Sequence, residues 1–219
     1  MQPTLIIGNK NYSSWSLRPW LLLKVSGIPF NEIKVPLYRE DSREKLLEYS
    51  PSGKVPALQY DHITCWDSLA ICEFIADQYP GLNLWPQDPG MKALARSITN
   101  EMHSGFFEIR NLLPMNCRAR TNVKQISPKL QGEIDRVCAI WNDCRSRYGA
   151  DGNFLFGPFT IADAMYAPVA TRFITYGIKF GKPEGQYVDT ILSLPAMQEW
   201  LAEAAAEKEV IQEYEIKTP

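Results

Sequence analysis

The sequence predicts an α/β part over 1–80, a connecting segment over 81–90 and an all-helical part over 91–219. Three observations carry that prediction. Strand-like and helix-like patterns alternate through the first part. The segment GLNLWPQDPG, Gly81 to Gly90, concentrates proline, glycine and asparagine as a connector does. Beyond it no strand pattern recurs.

In order along the chain, Thr4 to Ile7 is a short β-branched run, and Trp15 to Ser26 is an apolar helical stretch stopped by Gly27. Glu32 to Val35 alternates charge with Ile33 and Val35. Ala57 to Tyr60 and Ile63 to Cys65 flank the two-residue connection Asp61-His62, which reads as a hairpin, although Asp-His is a poorer turn pair than Asp-Gly. Asp67 to Gln78 follows as a helix ended by Tyr79-Pro80-Gly81. The residues alone therefore read β-α-β, a hairpin and a helix. In the second part Met91 to Asn116 reads as one long amphipathic helix, and Ser127-Pro128 and Leu194-Pro195 each open another with proline in the first turn. Thr160 to Asp163 forms a T-x-x-D capping box, with Phe159 and Ala164 placed for a weak hydrophobic staple. There are no internal repeats or low-complexity tracts.

At 219 residues and 45% hydrophobic, the chain can bury a real core, which excludes disordered, collagen-like and disulfide-stapled classes. With 25 acidic against 23 scattered basic side chains, it lacks the basic footprint of a nucleic-acid or anionic-membrane binder. The five cysteines form no CxxC pair and show no zinc spacing, so no metal is expected and they read as reduced thiols of a cytoplasmic protein. The apolar run at the N-terminus is too short for a signal peptide, and no stretch approaches a membrane span.

Three strand-to-helix or loop-to-strand junctions concentrate chemistry. The first reads Asn11, Tyr12, Ser13, Ser14, Trp15, Ser16 at the start of a helix, where free N–H groups and the positive dipole end would stabilise an anion or a developing thiolate. Which serine caps and which is free is left open, because Pro19 cannot donate to the Trp15 carbonyl and either delays or distorts the first turn. The second is Ser50 to Leu58, where Pro56 precedes a strand. A trans Pro56 simply opens an edge strand, whereas a cis Val55-Pro56 bond would turn the Val55 backbone toward a peptide-like ligand. The third is Cys65 to Ala70, where Asp67 and Ser68 at a helix start suit either capping or the two charges of an amino-acid moiety. All three belong to one end of a small sheet, where open α/β sheets place ligands.

SSWSLRPW, SPSGKVPAL, DSLAICEFIADQYP and FTIADAMYAP, in this order and spacing, resemble the cytosolic glutathione transferases over nearly the whole chain. The resemblance implies a thioredoxin-like βαβαββα domain followed by an all-helical domain, with glutathione as cosubstrate. It gives Val55 and Pro56 the cis-proline role, Asp67 and Ser68 the γ-glutamyl role, and Lys54 a glutathione carboxylate. The SS-x-S turn resembles the serine-type zeta class, which includes maleylacetoacetate isomerases. On that motif Ser13 is the catalytic hydroxyl, Ser14 is second, and Arg18 falls on the motif's arginine. Trp15 stands where zeta members carry cysteine, beside the bound glutathione, and Phe107 replaces a glutamine of their helical run while Asn111 matches.

The resemblance further implies an electrophilic small molecule held by Trp15 and by His103, Phe106, Phe107, Arg110 and Asn111 of the helix after the connector. Each of those aromatics also has an ordinary core reading, and Arg110 an ordinary surface ion pair with Glu108 or another acid. Conjugation, glutathione-dependent cis-trans isomerisation and a non-catalytic interaction module are the competing functions. Thiol-disulfide exchange is disfavoured because the first turn has no cysteine. A homodimer is implied, joining the first domain of one subunit to the second domain of the other.

Overall fold

The computed structural model describes residues 2–215. The sheet part runs β1 (Thr4–Ile7), α1 (Ser14–Val25), β2 (Asn31–Lys34), α2 (Ser42–Leu47), β3 (Ala57–Tyr60), β4 (Ile63–Trp66) and α3 (Ser68–Gln78). This is the βαβαββα order. The strands lie in the order β2-β1-β3-β4, with β1 parallel to β2 and antiparallel to β3, and with β3 and β4 paired as the hairpin read around Asp61-His62. Asp61 takes a left-handed φ of 54° in that turn, a conformation that aspartate tolerates.

Period-two alternation decides which layer each strand residue joins. On β1, Leu5 and Ile7 face the main core with Leu17, Leu21 and Ile71, whereas Ile6 faces a small second core with Val35, Ala57 and Leu46 of α2. Helix α2, six residues long, has no counterpart in the residue-by-residue reading and was implied only by the resemblance. Its value is to cover Ile6. Helix α1 runs straight through Pro19 and ends where expected, with Gly27 at φ 67° past its cap.

The helical part comprises α4 (Pro89–Ser104), α5 (Phe107–Leu112), α6 (Pro128–Tyr148), α7 (Ile161–Thr175), α8 (Lys182–Ser193) and α9 (Pro195–Ala206). The single helix read over Met91 to Asn116 is two. The chain breaks at Gly105, whose extended backbone leaves no room for a Cβ (2.9 Å from the Glu101 carbonyl oxygen), and at Phe106, with φ 58°. The apolar periodicity continues across this break, which is why the sequence conceals it.

Proline and caps act as read elsewhere. Ser127 accepts from the Leu130 amide at 3.2 Å to start α6. The capping box at α7 forms, with Asp163 Oδ2 accepting from the Thr160 amide at 2.8 Å and its hydroxyl at 3.0 Å. Asp163 Oδ1 also takes the Leu155 amide and the Tyr187 hydroxyl. Nearly every residue of α7 is buried, as befits a helix packed against α1, α4 and α8 at once. The connector over 81–90 is pinned: Leu84 and Trp85 are buried, Trp85 Nε1 donates to Glu73 Oε2 at 2.9 Å, and the Leu84 carbonyl accepts from the Ile161 amide.

Candidate active site

Helix α1 places the serine cluster at the seam between the sheet and α7. Ser13 is the N-cap: its Oγ accepts from the Ser16 amide at 3.3 Å and donates to Ser16 Oγ at 2.7 Å, and Ser16 Oγ in turn accepts from the Gly8 amide at 3.1 Å. Ser14 opens the helix, and its Oγ accepts from Arg172 Nη2 at 3.1 Å. Among the described residues the Ser14 hydroxyl proton meets no acceptor. Both serines line a cavity of about 370 Å³ with Tyr12, Trp15, Val55, Arg110, Asn111, Arg172 and Tyr214.

Three guanidinium groups surround this turn. Arg18 is fully buried under Trp15, with its Cζ 4.3 Å from the ring centroid, and donates to Ser68 Oγ at 3.3 Å. Arg110 covers Trp15 at 4.7 Å. Arg172 is held by the Leu113 carbonyl at 2.8 Å as well as by Ser14. Burial, and then repulsion from Arg110 and Arg172, lowers the pKa of Arg18, while burial and repulsion from Arg110 push that of Arg172 down to about 10. Arg172 therefore stays charged at neutral pH, and a positive field meets the N-terminus of α1 where an anion would sit.

A second cavity, about 640 Å³, continues on the far side of Trp15 and is lined by Lys54, Val55, Pro56, Trp66, Asp67 and Ser68. The Val55-Pro56 bond is cis. Asp67 adopts φ 78° and caps α3 through Oδ1, which accepts from the Leu69 and Ala70 amides at 2.9 and 3.3 Å. Burial works against ionisation of Asp67, but the bond from His103 and those from the amides outweigh it and hold the carboxyl below its usual range. The fold thus gathers Ser13, Ser14, Trp15, Lys54, Val55, Pro56, Asp67 and Ser68 around two adjoining cavities that share Trp15 and Val55.

The residues read onto the following helix separate. Arg110 and Asn111 line the serine cavity, but Phe106 and Phe107 line neither cavity, because the break at Gly105 turns Phe106 into the core and leaves Phe107 63% exposed. His103 lies edge-on to Trp15 at 5.3 Å, with Nε2 3.1 Å from Asp67 Oδ2. Arg110 makes no pair with Glu108. Its Nε donates to the Gly105 carbonyl at 2.8 Å and its Nη2 to that of Met102, closing the C-terminus of α4.

Two contributors escaped the sequence reading. Arg172 sits in the run IADAMYAPVATRFIT, where the other charge, Asp163, belongs to the capping box, and a cation in a helix buried all round was the available signal, since such a charge must find partners. The other is the segment after α9. Glu207 accepts from the Lys10 and Asn11 amides at 2.8 and 3.0 Å, Tyr12 bonds Glu215, and the Tyr38 and Tyr214 hydroxyls meet at the mouth of the serine cavity. No local pattern forecasts a contact across almost the whole chain. Among the described residues, no cluster of three or more His, Cys, Asp or Glu could hold a metal ion, and no helix is long and apolar enough to cross a membrane.

Comparison with known proteins follows the same division. The chain matches the model of the glutathione S-transferase N-terminal domain over residues 12–78 and that of the C-terminal domain over 118–203. It is 31% identical over 132 residues to a maleylacetoacetate isomerase of Mus musculus, covering 59% of this chain and 60% of that protein, and 33% identical over 111 residues to a probable maleylacetoacetate isomerase of Caenorhabditis elegans, covering 51% of each. A zeta-class glutathione S-transferase of Euphorbia esula is 28% identical over 116 residues, covering 52% of each chain. The matched region spans about half the length of these curated relatives. In fold, the chain is similar to a glutathione transferase homolog from Burkholderia solved with bound glutathione, with a TM-score of 0.72, 22% identity, and coverage of 94% of this chain and 100% of that one. A glutathione S-transferase from the clam Laternula elliptica gives 0.71 at 20% identity, covering 95% and 96%. The chain belongs to the glutathione S-transferase family.

Proposed function

We propose that the protein is a glutathione transferase that lowers the pKa of the glutathione thiol at the turn before α1 and presents the thiolate to an electrophile in the serine cavity. The observation that carries this reading is the Ser14 hydroxyl: it stands at a helix N-terminus, its oxygen is occupied by the Arg172 guanidinium, and its proton is unspent. A free thiol titrates near pH 8.5, and lowering that by about 2 units takes roughly 2.7 kcal/mol. One hydrogen bond to the sulfur anion contributes about 1.5–3 kcal/mol, and the helix end and the arginines add to it. The geometry favours Ser14 as the donor and Ser13 as the cap, reversing the order taken from the motif. On the far side of Trp15, the Val55 backbone would meet the cysteinyl unit, Asp67 and Ser68 the γ-glutamyl end, and Lys54 a carboxylate.

The test is the pH-rate profile of the parent, Ser13→Ala and Ser14→Ala with glutathione and a chlorinated aromatic acceptor. Ser14→Ala should move the profile up by about 1–2 units with the glutathione KM nearly intact. Ser13→Ala should cost about 1 kcal/mol of stability through the cap and leave the profile in place. A shift in Ser13→Ala alone would return the role to Ser13. Retention on immobilised glutathione separates an enzyme from an interaction module.

Glutathione-dependent isomerisation of a maleylacetoacetate-type substrate is the second reading, favoured by the names of the relatives. Turnover of maleylacetoacetate against the aromatic acceptor decides between the two. A homodimer is supported by exposed Ile63 and Trp66 on β4 and by Phe107 and Leu112 at α5, and sedimentation tests it. All five cysteines are free, which suits a reducing compartment such as the cytoplasm.

A further inference from the structure

The Asp67 carboxylate is held at both oxygens, and the two anchors come from different parts of the fold. Oδ1 takes the Leu69 and Ala70 amides of its own helix. That anchor holds Oδ1 and gives Oδ2 no partner from α3. Oδ2 receives Nε2 of His103 at 3.1 Å, from α4 in the helical part. The second anchor fixes the plane at the wall of the cavity that Asp67 and Ser68 line.

An ionised carboxylate only accepts, so His103 Nε2 carries the proton. Its Nδ1 is buried with no partner, so among the described residues Nε2 makes the ring's one polar contact. Around the pair stand Trp15, edge-on to the imidazole, and the guanidinium groups of Arg18 and Arg110 on the same indole. The imidazole N–H orients the carboxylate from the neighbouring helix.

We propose that His103 is a positioning residue for the glutathione amino group: by holding Asp67 Oδ2 it preorganises the carboxylate that receives the γ-glutamyl ammonium. The inference rests on the glutathione reading above and reassigns His103 from the electrophile wall to the cosubstrate. Preorganisation of this kind acts on binding rather than on the chemical step.

The experiment compares glutathione with its glutaryl-cysteinyl-glycine analogue, which lacks only the amine, on the parent, His103→Ala and His103→Gln, with one aromatic acceptor. His103→Ala should raise the glutathione KM about tenfold with little change in kcat, and should leave the KM of the analogue within about twofold, as expected for loss of one hydrogen bond to a charged group. Glutamine can place an N–H near the position of Nε2, so His103→Gln should recover most of the loss. Equal rises for both thiols, or a His103→Ala variant that keeps the parent's preference for the amine, would overturn the inference alone. A parent inactive with both thiols would overturn the glutathione reading and this inference with it.

Discussion

Glu207 offers the most direct test of how the turn before α1 is built. Its side chain is 3% exposed, and it supplies acceptors to two backbone amides, those of Lys10 at 2.8 Å and Asn11 at 3.0 Å, and to Lys34 Nζ at 3.2 Å. Glu207→Gln keeps the shape but turns one acceptor into an NH₂ group facing an N–H. One buried amide is orphaned, at a cost of about 1–3 kcal/mol. The partly exposed Lys34 pair adds about 0–1 kcal/mol. The sum, about 1–4 kcal/mol, corresponds to a fall in Tm of roughly 2–16 °C for a chain of this size. Urea unfolding of the parent, Glu207→Gln and Lys34→Met measures both terms, and Lys34→Met should account for the smaller. Activity should fall as well, because Lys10 and Asn11 lead directly into Ser13 and Ser14. A Glu207→Gln variant within about 0.5 kcal/mol of the parent would refute the view that the C-terminal segment braces the turn.

Two further outcomes follow from the same bonds. Asp163→Ala should destabilise by about 3–5 kcal/mol, because it strands the Leu155 and Thr160 amides and the Thr160 and Tyr187 hydroxyls in the core; a loss under about 1 kcal/mol by denaturant titration would contradict that. The folded-state pKa of Asp67 lies below its unfolded value, so its ionised bonds contribute stability that is fully present above the usual carboxylate range and lost as pH falls through the folded pKa. The stability difference between the parent and Asp67→Asn should therefore hold above about pH 5 and shrink as pH falls from there through the lowered folded pKa.

The strands, the threonine capping box and the three strand, loop and helix junctions were legible because each is written in contiguous residues: a β-branched run, a T-x-x-D box, a proline before a strand. Helix α2 was not, since six residues carry too little periodicity, and its role in covering Ile6 exists only once the sheet has formed. The break at Gly105 was hidden by an apolar pattern that runs through it. Between Ser13 and Ser14 the sequence offered two equivalent hydroxyls. What distinguishes them is Arg172, which lies in α7 and reaches the turn only through tertiary packing.

Helix α1 is buried on almost every side, with the sheet and α3 on one flank and α7 and α9 on the other. The element that carries the serine turn is thus also the mortar between the two parts. A fragment cut after Gln78 would strip Trp200 of α9 from Trp20, so neither part is a module that can be lifted out with its chemistry. Along this helix, variation that alters the proposed reaction also changes the cohesion of the whole molecule, and on that reading substrate range has more freedom to drift around Asn111 and Tyr214 than along α1.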